Sequence, residues 1–270
     1  MEKHNDQQRL KMEYFHRNEK KRMKLEKQTI PKNIFQSWYT HKIMPYIKNS
    51  FDKQYKIGYR HIIYTDNEMD LFVNKHFPGK ISDCYNKLNI ITSKVDLWRY
   101  LVLYKYGGIY LDMDSLINVP LDQIILPDDS AIISREFIGT SPKLSKYFAQ
   151  CVLIFSKRHP ILKQTIDFVI NNIENNHVID IHKLTGPSVF TDAVVHFHNN
   201  LFRKRLRIKQ IRYKSNISFS KNDISYRFCG VQFNGAFTYK HNKTKDLRKK
   251  KKYDGRNHWR KDQKINKLLN

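Results

Sequence analysis

Short apolar runs alternate with segments of helical period along the middle of the chain. Ile34-Phe35-Gln36-Ser37-Trp38 reads as a first strand and Tyr59-Arg60-His61-Ile62-Ile63-Tyr64 as a second, closed by the turn-forming Thr65-Asp66-Asn67. A helix follows to Phe77, where Pro78-Gly79 stops it. Thr92 or Ser93 can cap the next helix, whose Leu97, Tyr100, Leu101 and Tyr104 recur at i, i+3, i+4 and i+7 and which ends at Gly107-Gly108. Ile109-Tyr110-Leu111 is then a short buried strand that delivers Asp112-Met113-Asp114. Further strands are predicted over 131–134 and 151–155, with a helix opening at Pro160. Strands alternating with helices predict an α/β sheet of mixed or mostly parallel order, flanked by helices.

Charge divides the chain into parts. Across 270 residues, 50 Lys and Arg stand against 25 Asp and Glu, a net of +25, which is extreme for a metabolic enzyme. At 40% hydrophobic and 13% aromatic there is ample material for a core, which excludes a fully disordered chain. Residues 1–30 hold nine Lys/Arg and five Asp/Glu with few apolar positions before Pro31, and read as a charged helical arm. Residues 31–240 read as the catalytic domain, and 241–270 as a basic tail that could close over its site. The run Arg203, Lys204, Arg205, Arg207, Lys209, Arg212, Lys214 contains no acid, so it must face solvent or an anion. Cys84, Cys151 and Cys229 are odd in number and far apart, which gives neither a disulfide framework nor metal spacing and fits a reducing compartment. No stretch approaches the ~18 apolar residues of a membrane span, and no apolar leader is visible, so a soluble, cytoplasmic protein is expected.

The chemistry concentrates between Ser93 and Asp114. In an extended segment residues i and i+2 point the same way, so Asp112 and Asp114 could address one cation from a strand end. Two carboxylates suit Mg²⁺ or Mn²⁺, which complete an octahedron with water and the oxygens of a bound diphosphate. A bare D-x-D is common by chance, and its bland reading is a solvated turn. Asp96 and Arg99 stand at i, i+3 on the preceding helix, hence on one face. Spacing alone favours a surface salt bridge of a few tenths of a kcal/mol. The functional alternative is a carboxylate and a forked guanidinium aimed at sugar hydroxyls and a phosphate.

The block S-K-V-D-L-W-R-Y-L-V-L-Y-K-Y-G-G-I-Y-L-D-M-D resembles the DxD sugar-binding region of family 32 glycosyltransferases, a family of yeast outer-chain mannosyltransferases, animal α-1,4-glycosyltransferases and many bacterial and viral members. I-P-K-N-I-F-Q-S-W, S-K-R-H-P-I-L and T-G-P-S-V-F resemble the family's other elements, in order, across residues 30–190. The resemblance implies a GT-A fold with a Rossmann-like nucleotide-binding sheet. It implies transfer of a sugar from a UDP- or GDP-sugar donor to a glycan, protein or lipid acceptor, with retention of configuration. By matching position, Trp38 would stack on the nucleotide base and Asp96 and Arg99 would hold donor sugar hydroxyls. Asp112 and Asp114 would hold the ribose, the sugar and Mn²⁺ or Mg²⁺. Relatives end in H-x-x-G-S-W, whose His approaches the metal and diphosphate and whose Trp covers the phosphates. Here the candidates are His241, or His258 with Trp259, separated by a Lys/Arg-rich insert. The membrane anchor of the secretory relatives is not seen.

Two readings compete. Ile109 to Ser115 also resembles the nucleophile loop of haloacid-dehalogenase-type phosphatases, in which Asp112 would attack phosphorus and Asp114 act as acid and base; that loop normally lies near the N-terminus. A nucleic-acid- or polyanion-binding protein would account for the charge, since Lys and Arg neutralise phosphates, but not for the D-x-D block.

Overall fold

The computed structural model describes residues 29–42, 45–137, 144–176, 180–212, 215–230, 233, 235–239 and 267–269. The N-terminal arm before Thr29 lies outside the described residues, as do His241, His258 and Trp259.

Strand β1 (Asn33–Ser37) lies parallel to β2 (Arg60–Tyr64) on one side and β3 (Gly108–Leu111) on the other, with Ile34 opposite both His61 and Ile109. The glycines before the first aspartate make this contact possible. A Cβ on Gly108 would stand 2.5 Å from the Asn33 carbonyl oxygen, and one on Gly107 2.6 Å from the Lys157 nitrogen. Both also take positive φ, at 116° and 66°, where a side chain is strained.

Beyond β3 the sheet turns mixed. β7 (Val152–Phe155) runs antiparallel to β3 and to β5 (Ala131–Phe137); β5 is parallel to β9 (Ile224–Cys229), and β8 (Asn216–Lys221) closes the edge antiparallel to β9. The order is β2-β1-β3-β7-β5-β9-β8, with β6 (Leu144–Phe148) beside β5. A separate ribbon pairs β4 (Ser115–Ile117) with β10 (Phe237–Tyr239). The carboxyl ends of β1, β3 and β5 and the start of β7 therefore share one edge, where ligands of open α/β sheets bind.

Five helices cover one face: α2 (Asp66–His76), α3 (Lys80–Lys87), α4 (Ile91–Tyr106), α5 (Pro160–Asn175) and α7 (Pro187–Phe202), with the single turn α6 (Ile181–Leu184) beside them. Helix α1 (Pro45–Tyr55) and the β4–β10 ribbon cover the other. This is the mixed, helix-flanked α/β sheet that the sequence predicts.

Some local expectations need correction. Thr65 does more than turn the chain: with Glu68 it forms a capping box at the start of α2, a cap that contributes about 1 kcal/mol. Neither Thr92 nor Ser93 caps α4. The helix begins at Ile91 without a side-chain cap, and the buried Ser93 hydroxyl donates to the Ile90 carbonyl instead. Nor does the D-x-D stand in an extended strand. Asp112 follows the end of β3, Met113 and Asp114 form a turn, and the Ser115 N–H donates to the Asp112 carbonyl at 2.9 Å. Arg203, Lys204, Arg205, Arg207, Lys209 and Arg212 are exposed, as their spacing requires. Among the described residues no helix is long and apolar enough to cross a membrane, and all three cysteines are free thiols.

Candidate active site

Helix α4 is buried from Asp96 to Leu103 without interruption, because it is apolar on nearly every side and lies between the sheet and α5. The two charged residues of that stretch are thus carried inside. Asp96 and Arg99 are only 4% and 6% exposed and pair at 3.0 Å (Arg99 Nη2 to Asp96 Oδ1). The surface salt bridge suggested by spacing is a buried one.

Arg99 is the hub. Its Nη1 donates to the Gln150 carbonyl at 3.1 Å and lies 3.5 Å from Asp112 Oδ1, while the guanidinium stacks 4.5 Å above the Tyr110 ring. Its Nε has no partner among the described residues. Tyr110, two residues before Asp112 and on the same side of β3, donates its hydroxyl to Asp112 Oδ1 at 2.7 Å. The Asp112 backbone is fixed as well. Its N–H donates to the Cys151 carbonyl at 2.8 Å, and its carbonyl accepts from Gln36 Nε2 at 3.2 Å. The buried Gln36 amide is itself held by His61 at 2.7 Å, and the His61 ring stacks on Phe51 of α1.

Asp96 Oδ2 accepts from the Thr185 hydroxyl at 3.0 Å. That threonine opens the T-G-P element, whose Gly186 has no room for a Cβ, 2.7 Å from His182 Cα, and whose Pro187 starts α7. The H-P element is an end cap: His159 Nδ1 accepts from the Ile161 N–H and Pro160 begins α5.

Burial pushes the Asp96 carboxyl up to about 7, against the pull of Arg99 and the Thr185 hydroxyl, and the Asp112 charge adds to the rise. Burial opposes the Arg99 charge, yet Tyr110, Asp112 and Asp96 outweigh it and hold the guanidinium ionised. Burial, followed by the charges of Asp112, Asp114 and Glu136, drives the Cys151 thiol well above its usual range. Glu136, at the end of β5, therefore belongs to the same acidic edge.

The structure brings Asp96, Arg99 and Asp112 into one array, with Asp114 in the adjoining turn. Trp38 follows the end of β1, half-buried, with its backbone N–H donating to the Tyr64 carbonyl and its ring 4.9 Å from that of Tyr39. Sequence reasoning did not single out five residues of the array: Tyr110, Gln36, Gln150, Cys151 and Thr185. Three had a signal, since Tyr110 sits at i−2 from Asp112, Gln36 falls inside I-P-K-N-I-F-Q-S-W and Thr185 opens T-G-P-S-V-F.

The central strand of the sheet thus ends in two neighbouring carboxylates, Asp112 and Asp114, the first braced by a buried arginine. Residues 40–131 match the family described as glycosyltransferase sugar-binding region containing DXD motif. The chain is 25% identical over 216 residues to an initiation-specific alpha-1,6-mannosyltransferase of Candida albicans, covering 66% of this chain and 56% of that protein. It is 32% identical over 164 residues to inositol phosphoceramide mannosyltransferase 3 of Schizosaccharomyces pombe, covering 58% and 43%. An uncharacterized glycosyltransferase of Acanthamoeba polyphaga mimivirus matches at 25% over 182 residues, covering 63% and 67%. Among solved structures, the PaToxG glycosyltransferase aligns with a TM-score of 0.49 at 22% identity, over 64% of this chain and 70% of that one. Residues 40–131 thus carry a glycosyltransferase sugar-binding region, and the relatives that match are named as glycosyltransferases. The chain spans about half the length of the two yeast relatives. These matches favour neither the phosphatase nor the nucleic-acid reading. Glycosyltransferases with a DXD motif generally use a divalent metal.

Proposed function

We propose that the protein is a metal-dependent glycosyltransferase that moves a hexose from a nucleotide diphosphate sugar to an acceptor hydroxyl, with retention of configuration. The Asp112 carboxylate carries this reading. Tyr110 and Arg99 hold its Oδ1, Oδ2 has no hydrogen-bond partner among the described residues, and the side chain is 33% exposed at the ligand-binding edge of the sheet. One oxygen is thus fixed and the other is available to a cation. No group of three or more potential ligands exists among the described residues, which suits a hard ion that draws most of its shell from water and a diphosphate. Asp112 and Asp114 would hold Mn²⁺ or Mg²⁺, whose contribution is to stabilise negative charge on the leaving diphosphate.

The chain's own residues orient the rest. Asp96 and Arg99 hold the donor sugar, and Trp38 lies against the base. The acceptor hydroxyl oxygen bonds to the anomeric carbon as the bond from that carbon to the diphosphate oxygen breaks, and the hydroxyl proton passes to the departing diphosphate on the same face. The relatives named as mannosyltransferases make a mannose nucleotide the first donor to try. The acceptor is a glycan, protein or lipid.

The test is turnover of a panel of UDP- and GDP-sugars with Mn²⁺. Asp112→Asn and Asp114→Asn should each lower it on the order of 10³-fold, the scale of several kcal/mol of lost electrostatic stabilisation, without unfolding the protein. Undiminished rates in either variant, or in EDTA, would remove the metal from the mechanism. Proton NMR of the first-formed product should show an α-anomer from an α-linked donor; a β-anomer would overturn retention.

A further inference from the structure

Thr185 lies 89 residues from Asp96 in sequence and is fully buried, yet its hydroxyl ends on a carboxylate. Two other threonines of the same helical layer behave differently. Thr165 donates to the Ile161 carbonyl and Thr191 to the Pro187 carbonyl, each one turn back along its own helix, the usual resting place of a buried threonine hydroxyl. Thr185 stands outside a helix, and its proton bonds to the group paired with Arg99.

The bond is part of a closed circuit. From Thr185 Oγ1 it runs to Asp96 Oδ2, from Asp96 Oδ1 to Arg99 Nη2, and from Arg99 Nη1 to the Gln150 carbonyl. The Gln150 side-chain amide then donates to the Thr185 carbonyl at 3.1 Å. Tyr100, one turn along α4 from Asp96, donates its hydroxyl to the same carbonyl at 3.1 Å. Thr185, Asp96, Arg99 and Gln150 are each at most 6% exposed, so no water competes and each bond has its interior strength. The turn cannot drift, because Gly186 packs against the His182 backbone with no space for even a methyl group.

We infer that Thr185 is a positioning residue of the donor-sugar site, fixing Asp96 and, through it, the Arg99 fork in the orientation that meets the transferred sugar. This inference rests on the glycosyltransferase reading above. Without the hydroxyl, Asp96 Oδ2 loses its donor and the carboxylate is free to turn toward Arg99. The guanidinium then shifts relative to Asp112, whose Oδ1 lies 3.5 Å from its Nη1. The nucleotide and diphosphate, held elsewhere along the edge, should not notice.

Thr185→Val keeps the shape and removes the proton; Thr185→Ser keeps the proton. The valine variant should lose roughly 10- to 100-fold in kcat/KM for the nucleotide sugar, as expected for the removal of a hydrogen bond to a buried charge and the displacement of a sugar-binding group. Its affinity for free UDP or GDP with Mn²⁺ should stay within about threefold, well below what loss of a charged hydrogen bond at the nucleotide would cause. The serine variant should recover turnover. Unchanged kcat/KM in Thr185→Val would overturn the inference, as would parallel loss of nucleotide affinity and turnover, which marks a general defect. If the valine variant does not fold, Tyr100→Phe removes one of the two donors to the Thr185 carbonyl, and turnover equal to wild type there would overturn it. A wild-type protein that turns over no nucleotide sugar sinks the glycosyltransferase reading itself, and this inference with it.

Discussion

Arg99 joins three functions that one charged side chain rarely holds together: it neutralises Asp96, stacks on Tyr110 and approaches Asp112. Taking two ions out of water costs several kcal/mol each, and their attraction offsets that only with good geometry and further hydrogen bonds, which Thr185 and Gln150 supply. Such a pair is dangerous to break from one side. Arg99→Ala should lower stability by about 3–5 kcal/mol, because it strands the Asp96 carboxylate. Arg99→Lys is the informative change, since it keeps the charge and removes the fork. It should unfold within a few degrees of wild type, bind UDP or GDP with Mn²⁺, and fail to turn over the sugar nucleotide. Calorimetric titration beside Asp112→Asn separates the roles: nucleotide affinity lost to the same degree in both would place Arg99 on the diphosphate. Asp112 and Asp114 stand out in sequence as a D-x-D beside an apolar strand, whereas Asp96 and Arg99 are singled out by the family resemblance, their spacing alone reading as a surface salt bridge. Tyr110 and Thr185 do not stand out, since a tyrosine in a strand and a threonine in a turn are ordinary until their hydroxyls are seen to end on Asp112 and Asp96.

Elements whose signals are local were read with small errors at their ends. The first three strands and helices α2, α4 and α5 carry their own stops and periodicity, and the strand ends moved by one residue or so once hydrogen bonds defined them. Strands β4 and β10 are three residues each and exist only by pairing with one another across about 120 residues, so no local pattern announces them. The β8–β9 hairpin does have alternation, at Ile217 and Phe219, and a turn at Asn222-Asp223 with positive φ at both, but it follows a stretch dominated by charge. Helix α5 gives this scale its test. His159, 2% exposed, caps the helix through Nδ1, so its proton sits on Nε2, and the ring lies 5.3 Å from Phe155 and 6.3 Å from Phe197. Burial lowers its pKa from 6.5 to about 3, and burial likewise lowers that of His61 to about 4. The native state therefore refuses protons that the unfolded chain accepts. Stability from these histidines is complete above pH 6.5 and falls as the pH drops toward 4 and 3, by about 1.4 kcal/mol per pH unit for each. His159→Asn retains a capping side chain and should flatten this slope, at some loss of stability at pH 7.5 from the missing ring. Urea unfolding at pH 7.5, 6 and 5 measures it, and equal slopes in wild type and variant would show that His159 takes up its proton as readily in the fold as in the unfolded chain.

At the scale of the whole molecule, the site draws on Gln36, Asp96, Arg99, Tyr110, Asp112, Gln150 and Thr185, which only the folded sheet brings together. Sequence therefore showed which residues could do chemistry and not what holds them. The net charge of +25 belongs to this scale too. From Arg203 to Arg212 the chain follows α7 along the flank with its apolar residues inward: Ile211 is 1% exposed, and Leu206 and Ile208 pack against the main core. Its backbone is pinned by Asn199, by Arg135 and by Ser215. The six cations of this stretch are exposed, and none has a carboxylate within ion-pair distance among the described residues. An anchored loop that projects uncompensated charge creates a local positive potential, screened beyond about 8–10 Å at ordinary salt. It should attract any flexible polyanion, and a single-stranded DNA oligomer is a convenient probe because its salt dependence reports how many phosphates are neutralised. Replacing Arg203, Arg205, Arg207 and Lys209 with Gln should lower the slope of log K against log salt by up to about 3, or roughly 0.7 for each phosphate no longer neutralised. Turnover of a nucleotide sugar with a small neutral acceptor should not change, because none of the four belongs to the donor array. An unaltered slope would leave this flank a solvated surface and place polyanion binding among the other basic residues of the chain.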